Sequence, residues 1–208
     1  MFITLEGPEG GGKTSQVSPL IEYLRQEGYD VLGTREPGGT SIGEQIREVL
    51  SNLDNTEMEP RTEILLFQAS RAQLVEQVIR PHLAKGGVVL CDRYADSTLA
   101  YQGYGHQMDL GALRSLIQFA TGGLQPDLTI LLDLDVSIGL QRRAKAGGMN
   151  RLDAMTTAFH ERVRQGYLNL AHSEPQRWQI LDANQPAERI QHAIREVVMS
   201  RLRRLSPS

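Results

Sequence analysis

Gly7-Pro8-Glu9-Gly10-Gly11-Gly12-Lys13-Thr14 decides how this chain is read. The eight residues fit G-x-x-x-x-G-K-[ST], the phosphate-binding P-loop pattern. Its glycines let the backbone turn N–H groups inward, where they can cradle phosphate oxygens. Lys13 supplies a positive charge for β- and γ-phosphates, and the Thr14 hydroxyl is a ligand for Mg²⁺. The apolar run Phe2-Ile3-Thr4-Leu5 precedes the loop, and Val17, Leu20, Ile21 and Leu24 follow it at helical spacing. Strand, loop and helix is the context the pattern requires, and a helix N-terminus adds its own attraction for anions. The bland alternative is a flexible glycine-rich turn, which neither the strand before the loop nor the helix after it favours.

Outward from the loop, short apolar runs alternate with helical patterns. Strands are expected at residues 2–5, 30–33, 88–91, 128–134 and 178–181. Strands this apolar, separated by helices, imply a parallel sheet covered on both faces. The fold class is therefore α/β, a doubly wound parallel sheet with ligands at the carboxyl ends of its strands. Pro19 falls inside the first expected helix, where a proline removes a hydrogen bond.

Chemistry-bearing residues cluster after these strands. Arg35-Glu36-Pro37-Gly38-Gly39 follows the second; it is strong turn chemistry at a ligand-binding edge. The next helix carries Ile42, Ile46, Val49 and Leu50 on an apolar face, with Arg47 off it. Residues 60–81 pattern as one long helix, opened by Pro60 and stopped by Pro81. On it Phe67 and Arg71 are four apart and share a face, a ring and a fork of donors suited to a flat base, although an aromatic on a helix is more often core. The third strand runs into Asp92-Arg93-Tyr94, a carboxylate able to orient Mg²⁺ beside an arginine able to hold phosphate. Residues 97–105, with Ser97, Tyr101 and Gln102, form a binding loop rich in hydroxyl and amide groups. Asp133, at the end of the fourth strand, is structural. Arg142-Arg143-Ala144-Lys145-Ala146-Gly147-Gly148 through Asp153 places basic residues around a glycine hinge, a lid over phosphates at about 142–153. Phe159, Val163, Tyr167 and Leu170 pattern as the core face of a helix. Asp182-Ala183-Asn184 offers an adenine ledge, and a last helix runs to a frayed Ser-Pro-Ser tail.

Bulk composition sets limits. With 208 residues the chain makes a single domain, residues 1–208. A hydrophobic share of 40% supports a buried core, and a net charge of −3 argues against a nucleic-acid partner. The lone Cys91, inside an apolar run, excludes internal disulfides and cysteine-cluster metal sites. No apolar run reaches membrane-spanning length and Met1 leads straight into a strand, so a cytoplasmic protein with no membrane contact is expected.

In this order and at these intervals the P-loop, Arg35 to Gly39, Phe67 to Arg71, Asp92-Arg93-Tyr94 and Ala100-Tyr101-Gln102-Gly103 resemble the bacterial thymidylate kinases, P-loop nucleoside monophosphate kinases, over essentially the whole length. The resemblance implies transfer of the ATP γ-phosphoryl group to dTMP with Mg²⁺, a homodimer, and five parallel strands in the order 2-3-1-4-5. It implies that Gly7, Pro8, Glu9, Gly10, Gly11, Gly12, Lys13 and Thr14 form the ATP-phosphate loop, with Arg142 beside it and Thr14 and Asp92 serving the metal. Glu9 would face the dTMP sugar, and Arg93 and Arg47 would hold the dTMP phosphate against Glu36 and Pro37. Phe67 would stack on thymine, with Arg71, Ser97 and Gln102 completing base recognition and Tyr101 packing on the deoxyribose. Such kinases carry an extra catalytic arginine in the P-loop or the lid; this P-loop has none. The charge is then expected from Arg142, Arg143, Lys145 or Arg151, with Arg143 and Arg151 the favoured pair beside Lys13 and Arg93.

Other classes fit less well. A nucleoside kinase needs a base for a sugar hydroxyl, whereas this chain offers arginines for an acceptor phosphate. A guanine-nucleotide switch should carry Asn-Lys-x-Asp and a transporter ATPase Leu-Ser-Gly-Gly; the sequence has neither.

Overall fold

A computed structural model describes residues 1–147 and 151–205. Five strands, β1 (Phe2–Glu6), β2 (Val31–Arg35), β3 (Val88–Asp92), β4 (Leu128–Asp133) and β5 (Trp178–Asp182), form one parallel sheet in the order β2-β3-β1-β4-β5. The expected fold class and strand order both hold. Four strands run one to two residues further into polar sequence than their apolar runs, because backbone pairing continues past the last apolar side chain: Leu5 pairs with Asp92 and Arg35 with Asp92; β4 instead ends at Asp133, paired with Asp182, one residue short of the expected 134. Arg35, Glu6, Asp92, Asp133 and Asp182 thus line one carboxyl edge.

Alternation on β1 sends Ile3 and Leu5 to one face, against α1 (Lys13–Gln26) and α9 (Ala187–Leu205) through Leu20, Leu24, Ile190, Ile194 and Val198. The other face carries Phe2 and Thr4. It is covered by α3 (Pro60–Leu74), α6 (Leu110–Thr121) and α8 (Thr157–Ser173). The expected core face of α8 is buried throughout, at Phe159, Val163, Tyr167 and Leu170. Pro19 sits inside α1.

Three expectations change. Pro81 does not stop the long helix: α3 passes into a π-helical stretch, Val75–Ile79, and on through α4 (Arg80–Ala84). The Arg80 N–H reaches back five residues to the Val75 carbonyl, and this wider turn makes room for the ring that would clash in a regular helix. Residues 97–105 are not a loop either. They form the end of α5 (Ala95–Thr98) and a π-helical stretch, Leu99–Gly105, packed on α8. Small residues allow close packing on both sides: a Cβ at Gly103 would meet Leu110 Cδ2 of α6 at 2.5 Å, and one at Gly105 would meet the Phe159 ring of α8. On α2 (Ser41–Ser51) only Leu50 of the expected apolar face is buried, while Ile42 and Val49 are about half exposed, because α2 has only α3 as a substantial neighbour. Gly148 of the expected hinge and the Ser-Pro-Ser tail lie outside the described residues. Among the described residues no helix is long and apolar enough to cross a membrane.

Candidate active site

The carboxyl edge of the sheet opens into a cleft of about 630 Å³. It runs from the loop between β1 and α1, past the end of β3, to α3 and the π-helical stretch at Leu99–Gly105.

At one end the loop wraps the start of α1. Gly7 has φ +142°, and a Cβ there would stand 2.5 Å from the Leu132 carbonyl oxygen, so only glycine fits against β4. Gly12 caps α1 in the left-handed region with no side-chain acceptor, which leaves the first helical N–H groups pointing into the loop. Lys13 is buried, and its Nζ donates to Gly7 O at 2.9 Å and Pro8 O at 2.7 Å. Burial and the nearby Arg93 pull its pKa down to about 8, with Glu9 and Asp92 opposing. The Thr14 hydroxyl donates to Asp92 Oδ2 at 2.6 Å, so two hard oxygens meet at the loop's mouth.

Arg93 occupies the centre. Its backbone is left-handed, φ +67°, held by its N–H on Leu5 O, and this turn aims the side chain back across the loop. Nη2 donates to Glu9 Oε1 at 2.7 Å and Tyr101 OH at 3.0 Å; Nη1 reaches Gly7 O, Ser97 Oγ and Tyr167 OH. Burial opposes charge on Glu9, yet Arg93 and Lys13 outweigh it and bring its pKa to about 2. Beneath lies Glu6, fully buried, accepting from the Tyr94 N–H, Ser97 Oγ and Tyr167 OH. Burial and Asp96 push it up to about 7, with Arg93 pulling the other way.

The far end is built on α3. Phe67 lines it half-buried, beside Arg71, Thr98, Tyr101 and Gln102. Arg71 is 1% exposed, and all five of its N–H groups have protein acceptors: Glu36 takes two, and Gln68, Thr98 and the Tyr94 carbonyl the others. A base carbonyl could reach it only by displacing one of these. Glu36 is correspondingly committed to Arg71. Pro37, after a cis bond, and Arg47, whose Nη1 donates to Pro37 O at 2.8 Å, form the adjoining wall with Arg35.

The four lid candidates separate. Arg142 and Arg143, near the end of α7 (Val136–Ala146), line the cleft. Arg142 donates to Ala183 O and Asn184 Oδ1, on the expected adenine ledge, and Arg143 pairs with Asp153 and Gly147 O. Lys145 is exposed and outside the cleft lining. Arg151 also lies outside the lining, ion-paired to Glu63. Asp133 is structural, clamped by both arms of Arg164.

Reading the sequence missed Glu6, Glu63 and the hydroxyl of Tyr167. For Glu6 a signal exists, an acid ending a wholly buried strand. Tyr167 was visible only as core, and nothing local distinguishes Glu63 from a solvated helix acid.

Mg²⁺ fits the donor set. Thr14 Oγ1 and an Asp92 carboxylate are the sparse, hard-oxygen ligation this ion takes when phosphates and water supply the rest. Among the described residues no cluster of three or more His, Cys, Asp or Glu forms a self-sufficient metal cage.

Against known proteins, the family model described as thymidylate kinase matches residues 5–194. The chain is 53% identical over 201 residues to the thymidylate kinase of Deinococcus radiodurans, covering 97% of each chain. It is 53% identical over 204 residues to that of Thermomicrobium roseum, covering 98% of this chain and 96% of the relative. A crystal structure of thymidylate kinase from Ehrlichia chaffeensis superposes with a TM-score of 0.77 at 32% identity, over 95% of this chain and 98% of that one.

Proposed function

The chain belongs to the thymidylate kinase family, its reaction is transfer of the ATP γ-phosphoryl group to dTMP, giving dTDP for dTTP synthesis, and we propose how its residues divide that work. The observation that carries the assignment is the continuity of the cleft: the P-loop and the aromatic end on α3 open into one space, with Arg93 and Glu9 between them.

ATP phosphates lie on the loop N–H groups and Lys13, with Arg142 beside the adenine. Thr14 and Asp92 would hold Mg²⁺, which would neutralise phosphate charge when bound. Arg93 and Arg47 take the dTMP phosphate against Pro37, and Phe67 stacks on the base. Ser97 and Gln102 complete base recognition, while Arg71, with its donors filled, acts as the floor of that pocket together with Glu36. Tyr101 forms the wall where a ribose 2′-hydroxyl would lie, its own hydroxyl donating to Glu9 at 2.6 Å. Glu9, anionic through its pairing with Arg93, orients that guanidinium and faces the sugar.

The acceptor is a phosphate already ionised at neutral pH, so no general base is required. Rate comes from holding the two phosphates in line and from positive charge around the transferring group. Lys13 and Arg93 supply it from below, and Arg143, already in the cleft lining, from the lid at 142–153, with Arg151 arriving from its pair with Glu63 only on closure. The protein acts in the cytoplasm as a homodimer. Phe119 on α6 is 88% exposed and Leu65 on α3 is 57% exposed, apolar surface on two helices in mutual contact.

The test is ADP release across nucleoside monophosphates. Turnover should be highest with dTMP, and a preference for any purine monophosphate would refute the assignment of the α3 end to thymine.

A further inference from the structure

Glu63 lies on α3 behind the cleft wall rather than in it, with its side chain 1% exposed. Its carboxylate is met from two stretches of chain, the π-helical stretch Leu99–Gly105 with its cap His106 and the segment after α7. Gln102 Nε2 donates to Oε1 at 2.6 Å, Arg151 Nη2 donates to Oε2, and His106 Nε2 stands 3.6 Å from Oε1. Burial opposes the charge, but His106, Arg151 and Gln102 together hold the carboxyl below its ordinary range.

An ionised carboxylate accepts and cannot donate. The Gln102 amide must therefore turn its NH₂ toward Glu63, which fixes Oε1 on the other side. Gln102 lines the cleft beside Phe67 and Arg71, and among the described residues no donor is aimed at its Oε1. The amide thus offers the cleft a fixed acceptor, and its second N–H stays available for a neighbouring carbonyl.

This is half of a base-reading pair. Thymine and uracil carry an N3–H donor between two carbonyls, whereas cytosine carries a lone pair at N3. An acceptor that cannot flip takes the first and repels the second. A glutamine at position 63 would not do this, since its amide can offer oxygen or nitrogen and would let Gln102 turn over. The charge makes the lock one-directional, and Arg151 offsets the cost of burying it.

We propose that Glu63 is a specificity-determining positioning residue: it locks the Gln102 carboxamide so that the cleft accepts a pyrimidine with an N3–H and refuses cytosine. The inference rests on the reading of Gln102 as base-facing given above. It also joins base readout to the segment after α7, because Arg151 and Gln102 share one anion.

The experiment measures kcat/KM for dTMP and dCMP, with KM for ATP as the control, in Glu63→Gln, Glu63→Asp and Gln102→Leu. In Glu63→Gln the dTMP:dCMP ratio should fall at least about tenfold, since a fixed acceptor left facing the cytosine N3 lone pair is what rejects the wrong base. The fall should appear in KM for dTMP, with KM for ATP unchanged. Glu63→Asp, still an acceptor only, should recover most of the ratio. A purely structural role would weaken both nucleotides together, so an unchanged ratio in folded Glu63→Gln overturns the proposal. Should that variant be insoluble, Glu63→Gln with Arg151→Met removes both charges of the pair, and the same ratio is read. Gln102→Leu separates the two readings. If it leaves KM for dTMP unchanged, the base-facing reading of Gln102 has failed. If it raises KM while Glu63→Gln keeps the ratio, only the role of Glu63 has failed.

Discussion

Lys13→Met should make the protein inactive without making it less stable, and the pH dependence of that stability carries the reasoning. Lys13 is 6% exposed, and its pKa falls from the ordinary 10.5 to about 8 in the fold, through burial and Arg93. At about 1.4 kcal/mol per unit, the folded state carries roughly 3 kcal/mol of opposition to this charge at neutral pH. The unfolded chain holds the proton more tightly, so wild-type stability rises as pH climbs from about 8 toward 10.5. Methionine has no such dependence. It forfeits the two hydrogen bonds to Gly7 O and Pro8 O, each worth about 1 kcal/mol, whatever the pH. The balance at pH 7 is a variant equal to wild type or about 1 kcal/mol more stable. By pH 9.5 wild type should have regained about 2 kcal/mol relative to it. Urea unfolding of both proteins at the two pH values measures this, and other titrations cancel in the difference. A constant gap between pH 7 and 9.5 would refute a depressed Lys13. The same charge is needed most in the transition state, so kcat should fall at least about 10²–10³-fold. In wild type, kcat/KM for ATP should decline above about pH 8.

Phe67→Ala should raise KM for dTMP about tenfold and leave KM for ATP unchanged, stacking on a base being worth about 1–3 kcal/mol; equal movement of both constants would make Phe67 merely core. Alanine at Arg142, Arg143, Lys145 and Arg151 in turn, with both substrates saturating, should lower kcat at least about tenfold at Arg143 or Arg151 or in their double variant. If none does, the lid only covers, and Arg35, Arg47 or Arg93 must supply the charge. Light scattering at micromolar concentration should give a dimeric mass that Phe119→Asp lowers; a monomeric wild type would refute the dimer.

What the sequence made legible follows from how local each signal is. A P-loop declares itself within eight residues, and the acids and arginines after each apolar run point to the carboxyl edge without knowledge of strand order. That order has no local signal, since β1 pairs with β3 and β4 across more than 80 residues; it came with the resemblance. The two π-helical stretches were invisible because they depend on fit: one relieves Pro81, and the other lets Gly103 and Gly105 approach Leu110 and Phe159. Glu63 is 39 residues from Gln102 and 88 from Arg151, so only the folded chain brings its partners together.

The pairing of the cleft's arginines decides which of them a substrate phosphate can recruit. Arg93 is held by Glu9, Arg71 by Glu36, Arg35 by Glu44, Arg143 by Asp153 and Arg151 by Glu63. Recruiting a guanidinium from a carboxylate leaves that carboxylate uncompensated, a cost that grows with burial. Asp153, Glu63 and Glu36, with side chains 0%, 1% and 3% exposed, would be the costliest to abandon. Glu9, at 16%, is a rim group that water can reach in part. Among the described residues Arg47 donates to the Pro37 carbonyl alone, and giving up one neutral hydrogen bond costs about 1 kcal/mol. Arg47 is therefore the easiest arginine for an incoming phosphate to engage. Arg93 comes next, because it has several alternative acceptors around it and can share one without leaving Glu9. Arg71 comes last, and its part in recognition is to keep the pocket floor and Gln68 in place.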